Sequence, residues 1–331
     1  MKHILTKMFD YESLSRAEAA EVLTKIANGE YNTEQIASFI TVYLMRPITM
    51  EELMGFREAL LEMALPVDLS EFNPIDIVGT GGDGKNTFNI STLSCFVLAG
   101  AGFKVAKHGN YGATSVSGAS NVLEYYGAKF TTDISNIKAA VDKTGFAFLH
   151  APLFNPAMKT VAPIRKALGV RTFFNVMGPL ISPVKPRYQV LGVYSLTMLR
   201  LYNYISQQLG MNYTLVHSLD GYDEISLTTD AKIISNTREE VLSPAAMGFR
   251  TFQQEELSGG NTIEDAAKIF INVLDNRATE AQKSVVIINS AFAIQTICPD
   301  YSLDECKAIA IESIDSGNAK KAFENWLKVS V

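Results

Sequence analysis

The stretch DIVGTGGDGKNTFNIST, Asp76 to Thr92, carries residue types suited to holding a phosphate. Closely spaced glycines let backbone N–H groups converge on an anion, and a following helix adds its N-terminal dipole. Gly79, Gly81 and Gly84 have the spacing of a dinucleotide-binding turn, while Gly79, Gly84 and Lys85 have that of a P-loop. Neither pattern completes. A P-loop needs a Ser or Thr hydroxyl after its lysine; Asn86 stands there, and Thr87 comes one position late, about 100° round a helix start. A dinucleotide site wants an acid at the end of the second strand. Lys107, His108, Gly109 and Asn110 occupy that place, followed by YGATSVSGAS, a second cradle of small and hydroxyl residues. Asp83 lies inside the first loop, where a bare carboxylate repels phosphate, so it suits a sugar hydroxyl or the water shell of a metal. Farther on, VHSLDGYDEIS sets Asp223 beside Glu224 after a strand and a Gly turn. Adjacent carboxylates bind hard cations such as Mg²⁺, which bridge them to diphosphate oxygens. Taken singly, each feature has a plain explanation: Gly turns join strands to helices, and Asp-Glu pairs sit on solvated turns. Together they predict two cradles around one sugar diphosphate, with metal between.

Such loops need a scaffold that brings them to one rim. FKVAKHG, FAFLHA, YQVLGVYS and NYTLVHS are short β-branched or aromatic runs ending in Gly, His or Ser, with helical stretches such as STLSCFVLAGAG and SNIKAAVDKTG between them. The alternation predicts a mostly parallel sheet covered by helices, with ligands beyond the carboxyl ends of the strands. TTDAKIISNTREEVLSP reads as an antiparallel hairpin. The first seventy residues read as helices only. Capping boxes at Ser15/Glu18, Asn32/Gln35 and Thr49/Glu52 open them, and Ala17, Ala20, Val22, Leu23 and Ile26 form the expected apolar stripe of the first. Thr279/Gln282 and Ser302/Glu305 start helices near the end. The segment NPAMKTVAPIRKALGVRTFFNVMGPLISPVKPR, rich in proline, interrupts the rhythm and is expected to leave the sheet and pack on the N-terminal bundle. The expected organisation is thus α/β. Residues 1–70 form a small all-helical N-terminal domain, joined by a crossing segment near 163–184 and hinged to a large α/β domain with a mostly parallel central sheet over 71–331.

Composition narrows the function classes. A net charge of −6 argues against broad nucleic-acid binding, which calls for a basic stripe. Cys95, Cys298 and Cys306 show no paired spacing and fit buried thiols in a reducing compartment. No apolar run reaches membrane-spanning length, and MKHILTKMFDYESLS lacks a signal-peptide core, so a cytoplasmic protein is expected. The four histidines have no zinc-like spacing; His150 and His217 are expected to be satisfied residues at strand ends, and none is assigned as acid or base.

The motifs VGTGGDGKNTFNIST, VAKHGNYGATSVSGASNVLEYYGA, NPAMKTVAPIRKALGVRTFFNVMGPL and LVHSLDGYDEIS resemble, in order and spacing, those of the anthranilate phosphoribosyltransferase family, over nearly the whole chain. The resemblance implies a small helical domain hinged to an α/β domain, related to pyrimidine nucleoside phosphorylases, and a homodimer formed through the helical domain. It implies transfer of the 5-phosphoribosyl group from 5-phosphoribosyl 1-diphosphate (PRPP) to anthranilate in tryptophan biosynthesis, with two Mg²⁺ ions. Carried over by position, Gly79, Gly82, Asp83, Thr87, Asn89, Ile90, Ser91 and Thr92 surround PRPP. Lys107, His108, Gly109, Asn110, Tyr111, Gly112, Ala113, Thr114, Ser115 and Ala119 form its second wall. Ser91 lies near one Mg²⁺, Asp223 and Glu224 at the other, and Gly79, Asn110 and Arg165 meet anthranilate. Four positions depart from the family pattern: Tyr111 replaces Arg, Val116 Lys, Asn121 Asp and Asn155 His, the first two reducing positive charge near the phosphates.

The implied chemistry is catalysis by placement and charge, since the arylamine of anthranilate is neutral at pH 7 and needs no strong base. A pyrimidine-nucleoside-phosphorylase-like enzyme is the nearest alternative, but its KHSTGG-type loop is absent. A non-catalytic nucleic-acid-binding relative is the other, and the acidic balance opposes it.

Overall fold

The computed structural model describes residues 1–112 and 116–330. The chain opens with α1 (Lys2–Phe9), α2 (Arg16–Ala27), α3 (Thr33–Met45) and α4 (Met50–Glu62). It continues through β1 (Ile75–Gly79), α5 (Ile90–Gly100), β2 (Val105–Gly109), α6 (Ala119–Tyr125), α7 (Ile134–Thr144) and β3 (Phe146–His150). Next come α8 (Ala151–Phe154), α9 (Ala157–Leu168), β4 (Tyr188–Gly192), α10 (Leu196–Gln208), β5 (Asn212–Ser218), β6 (Ala231–Ser235) and β7 (Glu239–Leu242). Helices α11 (Ile263–Leu274), α12 (Glu280–Ile297), α13 (Leu303–Asp315) and α14 (Asn318–Val329) complete it.

Contacts divide the chain into two units, Met1–Val67 with Ala151–Lys185, and Asp68–His150 with Pro186–Val331. In the first unit the capping boxes at Ser15, Asn32 and Thr49 all form. Each satisfies two N–H groups that the opening turn leaves unpaired. The buried stripe of α2 runs through Ala19, Val22, Leu23 and Ile26, correcting the sequence expectation of Ala17 and Ala20. Ala17 is exposed and Ala20 half-buried, because a face through Val22 and Ile26 extends back by three or four residues, to Ala19. The crossing segment joins this bundle. Phe173 stacks on Phe56 at 4.7 Å between ring centres and meets Phe39 and Tyr43 edge-on, while Thr160 Oγ1 donates to the Ala27 carbonyl at 3.2 Å.

The second unit is built on a seven-stranded sheet of order β3-β2-β1-β4-β5-β6-β7. Strands β3, β2, β1, β4 and β5 run parallel; β6 and β7 form the antiparallel edge. Helix α5 and the largely buried α12 supply much of its core, with Phe96, Phe146, Phe270, Phe323 and Trp326 interlocked on one face. From β1 the chain steps outward to β2 and β3, then returns to β4 on the other side of β1. That reversal opens a crevice at the carboxyl ends of β1 and β4, where ligands of open α/β sheets bind. Cys95, Cys298 and Cys306 are all free thiols, and no helix among the described residues is long and apolar enough to cross a membrane.

Candidate active site

Two glycines face each other at the crevice: Gly79 ends β1 and pairs in register with Gly192, which ends β4. Their missing Cβ atoms make room for the acidic segment after β5. A Cβ on Gly79 would overlap the Asp223 carboxylate, and one on Gly192 would overlap the Asp223 backbone carbonyl. Asp223 Oδ2 accepts a 2.6 Å hydrogen bond from the Gly81 N–H, tying the acidic loop to the first glycine loop. Thr87, at the far end of that loop, lies close enough to Glu224 to favour its charged form. Gly81, Gly82 and Gly84 all take positive φ, the left-handed region that side chains resist, so the loop turns tightly enough for its amides to converge. Asp83 Oδ1 accepts from the Lys85 N–H at 3.0 Å and lies close enough to raise the proton affinity of Asp223.

The electrostatics of these carboxylates would suit a bound cation. Burial pushes the Asp223 carboxyl up to about 7, helped by the nearby Asp83 charge. Burial, followed by the Asp223 and Asp83 charges, holds Glu224 well above the ordinary carboxylate range. Glu224 Oε1 is buried without a hydrogen-bond partner. An orphaned carboxylate oxygen beside two other carboxylates fits a hard divalent cation. Among the described residues no group of three or more His, Cys, Asp or Glu side chains closes on one metal position. A cation here would draw further ligands from water and substrate, as Mg²⁺ does.

The sign of the pH effect follows. With its folded-state value raised to about 7, Asp223 keeps a proton that the unfolded chain releases, so it opposes folding increasingly as pH rises from the ordinary carboxylate range to about 7, and Glu224 acts in the same direction. A cation substitutes for the proton, so Mg²⁺ should raise the melting temperature more at pH 8 than at pH 5.5. At a hundredfold excess over Kd the stabilisation is about 2.7 kcal/mol. The variant Asp223→Asn with Glu224→Gln should stay folded and lose that shift; if the shift persists, these carboxylates do not hold the cation.

Helix α5 begins beside this loop. Its cap Asn89 accepts from the Thr92 N–H at 2.9 Å and donates through Nδ2 to the Ser117 carbonyl at 2.7 Å, joining the two cradles. Ile90 and Thr92 are buried in its first turn. Lys107, almost fully buried, reaches across to donate to Ser91 Oγ at 3.1 Å and to the Ile77 carbonyl at 2.6 Å. In the second cradle the Ser120 N–H donates to the Asn110 carbonyl, and the Gly112 N–H donates to Asn121 Oδ1 at 2.9 Å. Gly118 packs so tightly on Gly112 that a Cβ there would overlap the Gly112 nitrogen, and Ala119 is buried behind them. Tyr111 is half-exposed, its hydroxyl donating to Glu124 at 2.8 Å. Ala113, Thr114 and Ser115 lie outside the described residues. His108, His150 and His217 are buried; His150 Nδ1 pairs with Ser120 Oγ at 2.9 Å and His217 Nδ1 with the Val193 carbonyl at 2.8 Å. Arg165 belongs to the first unit, half-buried on α9 over the Phe174 ring, with no carboxylate within 4.0 Å among the described residues.

Several supports escape sequence reasoning. Gly192 is one; its signal is that YQVLG ends as IDIVG does. The segment after Gln254 is another. The Gly259 N–H donates to the Asn86 carbonyl at 2.7 Å, Asn86 Nδ2 donates to the Gly260 carbonyl at 2.7 Å, and Ser117 Oγ donates to the Thr87 carbonyl at 2.6 Å. Asn86, the residue that breaks the P-loop pattern, is therefore a brace for the loop's distal half. The Gly-Gly pair at 259 and 260 was the available clue.

The chain as a whole is similar to known proteins. Residues 71–320 match the family model described as glycosyl transferase family, a/b domain, and residues 2–64 match glycosyl transferase family, helical bundle domain. The anthranilate phosphoribosyltransferase of Bacteroides fragilis is 59% identical over 330 residues, covering 100% of both chains. The structure of anthranilate phosphoribosyltransferase from Thermus thermophilus superposes with a TM-score of 0.91 at 32% identity, covering 98% of each chain. The Saccharomyces cerevisiae enzyme in complex with PRPP and Mg gives a TM-score of 0.91 at 28% identity, covering 98% of this chain and 96% of that one. Clasped glycine loop, buried carboxylates, helical bundle and full-length similarity agree, and the chain belongs to the anthranilate phosphoribosyltransferase family.

Proposed function

We propose that this protein transfers the 5-phosphoribosyl group of PRPP to the amino group of anthranilate, releasing pyrophosphate, in tryptophan biosynthesis. The observation that carries this reading is the Asp223 carboxylate seated in the Gly79–Gly84 loop, together with the Lys107–Ser91 pair at the start of α5. The loop amides and Lys107 bind and orient the pyrophosphate, and their fixed dipoles stabilise charge as it develops on the leaving group. The second cradle, from Lys107 to Gly112 with Ala119, closes the other side of the ribose phosphate. Asp223 with Glu224, and Ser91, would hold two Mg²⁺ ions, which would neutralise the diphosphate oxygens. No side chain is needed as base, because the arylamine is already neutral, and rate comes from alignment.

Arg165 is the partner proposed for the anthranilate carboxylate, with Gly79 and Asn110 contacting the same substrate. Its planar fork matches a carboxylate in paired hydrogen bonds, and burial already lowers its proton affinity, so a bound anion would be welcome. Arg165→Ala should raise the anthranilate KM by about 10- to 100-fold with a much smaller change for PRPP. An equal rise for both substrates removes the assignment. Exposed Phe9, Tyr11 and Met45 on the first unit support a homodimer formed through the helical bundle. Sedimentation equilibrium should give twice the chain mass, and a monomer at micromolar concentration ends that proposal.

The test of the function is the loss of anthranilate fluorescence with PRPP and Mg²⁺ present, each omitted in turn. Signal loss that needs both PRPP and Mg²⁺ supports the transfer. Phosphorolysis of pyrimidine nucleosides with no PRPP consumption would favour the phosphorylase alternative.

A further inference from the structure

Strand β1 pairs with β4 over its whole length, from Ile75↔Tyr188 to Gly79↔Gly192, but with β2 only at Ile75↔Val105. Beyond that point the ladder between β1 and β2 is open, although both strands run on toward the site and β2 stays paired with β3 through Gly109. The backbone groups facing the gap still need partners. Two charged side chains supply them, each to the other strand. Asp76 Oδ1 accepts from the His108 N–H at 3.4 Å, and Lys107 Nζ donates to the Ile77 carbonyl at 2.6 Å.

Asp76 is fully buried in mid-strand, with Oδ2 lacking any hydrogen-bond partner. A buried carboxylate there is costly, and an apolar residue would suit the strand better. Burial indeed raises its proton affinity, while the Lys107 charge is the strongest influence opposing that rise; Gln189, its register partner on β4, adds a side-chain hydrogen bond. The two charges are not in contact as an ion pair among the described residues, so the coupling runs through the backbone each one holds.

We infer that Asp76 is a positioning residue for Lys107: its carboxylate keeps β1 and β2 apart at the point from which the ammonium reaches Ser91 and the pyrophosphate. This rests on the reading of Lys107 as a pyrophosphate ligand. The open ladder is the space the lysine stem needs; a closed ladder would pair the Ile77 carbonyl with β2 backbone and deny Nζ its anchor.

The test compares Asp76→Asn, which keeps shape and an acceptor oxygen but removes the charge, with Lys107→Met and the double variant. Asp76→Asn should lower kcat/KM for PRPP by about 10-fold or more, weaken pyrophosphate binding in calorimetry comparably, and leave the anthranilate KM within about twofold. The double variant should be no worse than Lys107→Met alone, because the lysine's contribution can be lost only once. Full additivity, a loss shared equally by both substrates, or unchanged PRPP kinetics in Asp76→Asn overturns the positioning role. Unchanged PRPP kinetics in Lys107→Met instead overturns the assignment of Lys107 itself. Asp76→Ala with its melting temperature separates loss of fold from loss of position: a folded variant as impaired as Asp76→Asn supports the role, and a folded variant with parental PRPP kinetics refutes it.

Discussion

Gly192→Ala should lower kcat/KM by about 100-fold or more while the protein remains folded. The backbone of Gly192 is not in the left-handed region, so alanine is allowed there by conformation and excluded only by space. Its Cβ would meet the Asp223 carbonyl oxygen and carbon, which are backbone and cannot turn aside as a side-chain tip can. The acidic segment must therefore move, taking with it the carboxylate that the Gly81 N–H holds at 2.6 Å. A shift of about 1 Å in such a group is enough for the predicted loss. Both Mg²⁺ dependence and PRPP affinity should weaken, with the far-UV circular dichroism unchanged. Kinetics within twofold of the parent would mean that Asp223 does not act from this position.

Glu52→Gln is the second large effect expected, and it falls on stability. Glu52 is read from sequence as a capping-box residue, yet it is wholly buried and serves as the hub of the helical bundle. Arg46 grips it through both terminal nitrogens, at 2.9 and 2.5 Å; the Leu14 and Thr49 N–H groups donate to it at 3.0 and 2.9 Å, and the Tyr43 hydroxyl at 3.1 Å. Removing one partner of a buried pair costs about 3–5 kcal/mol, because the other charge is left unpaired. Hydrogen exchange across α2, α3 and α4 should report the loss locally. Protection within about 1 kcal/mol of the parent would refute it. The pH dependence has a definite sign. Burial alone would raise the Glu52 carboxyl, but Arg46 and then the Thr49 and Leu14 amides outweigh it and bring it below the ordinary value of 4.5. Its contribution is therefore present above that value and lost as pH falls below it, and Glu52→Gln should lack this component of acid destabilisation.

Local signals were the legible ones. Capping boxes at Ser15, Asn32, Thr49, Thr279 and Ser302 all form, since three residues of sequence contain the whole hydrogen-bonded device. The four parallel runs and the antiparallel hairpin appear as strands for a similar reason: burial on both faces, or alternation, is written residue by residue. Helices α6, α10 and α11 were not singled out from the sequence. For α11 the signal was present, since Thr262 and Asp265 form a capping box, but the acid is aspartate where glutamate or glutamine is usual.

What the sequence determined by itself was chemical type and chain order: glycine loops, a lysine and a carboxylate pair at strand ends, on an α/β scaffold preceded by helices. Only the tertiary structure decided which groups meet. Asp223 and Gly81 lie 142 positions apart, Asn86 and Gly260 lie 174 apart, and Asp76 acquires meaning only where β1 parts from β2. Propensities and caps depend on neighbours in sequence, whereas strand order and the space left by an absent Cβ depend on packing of the whole chain.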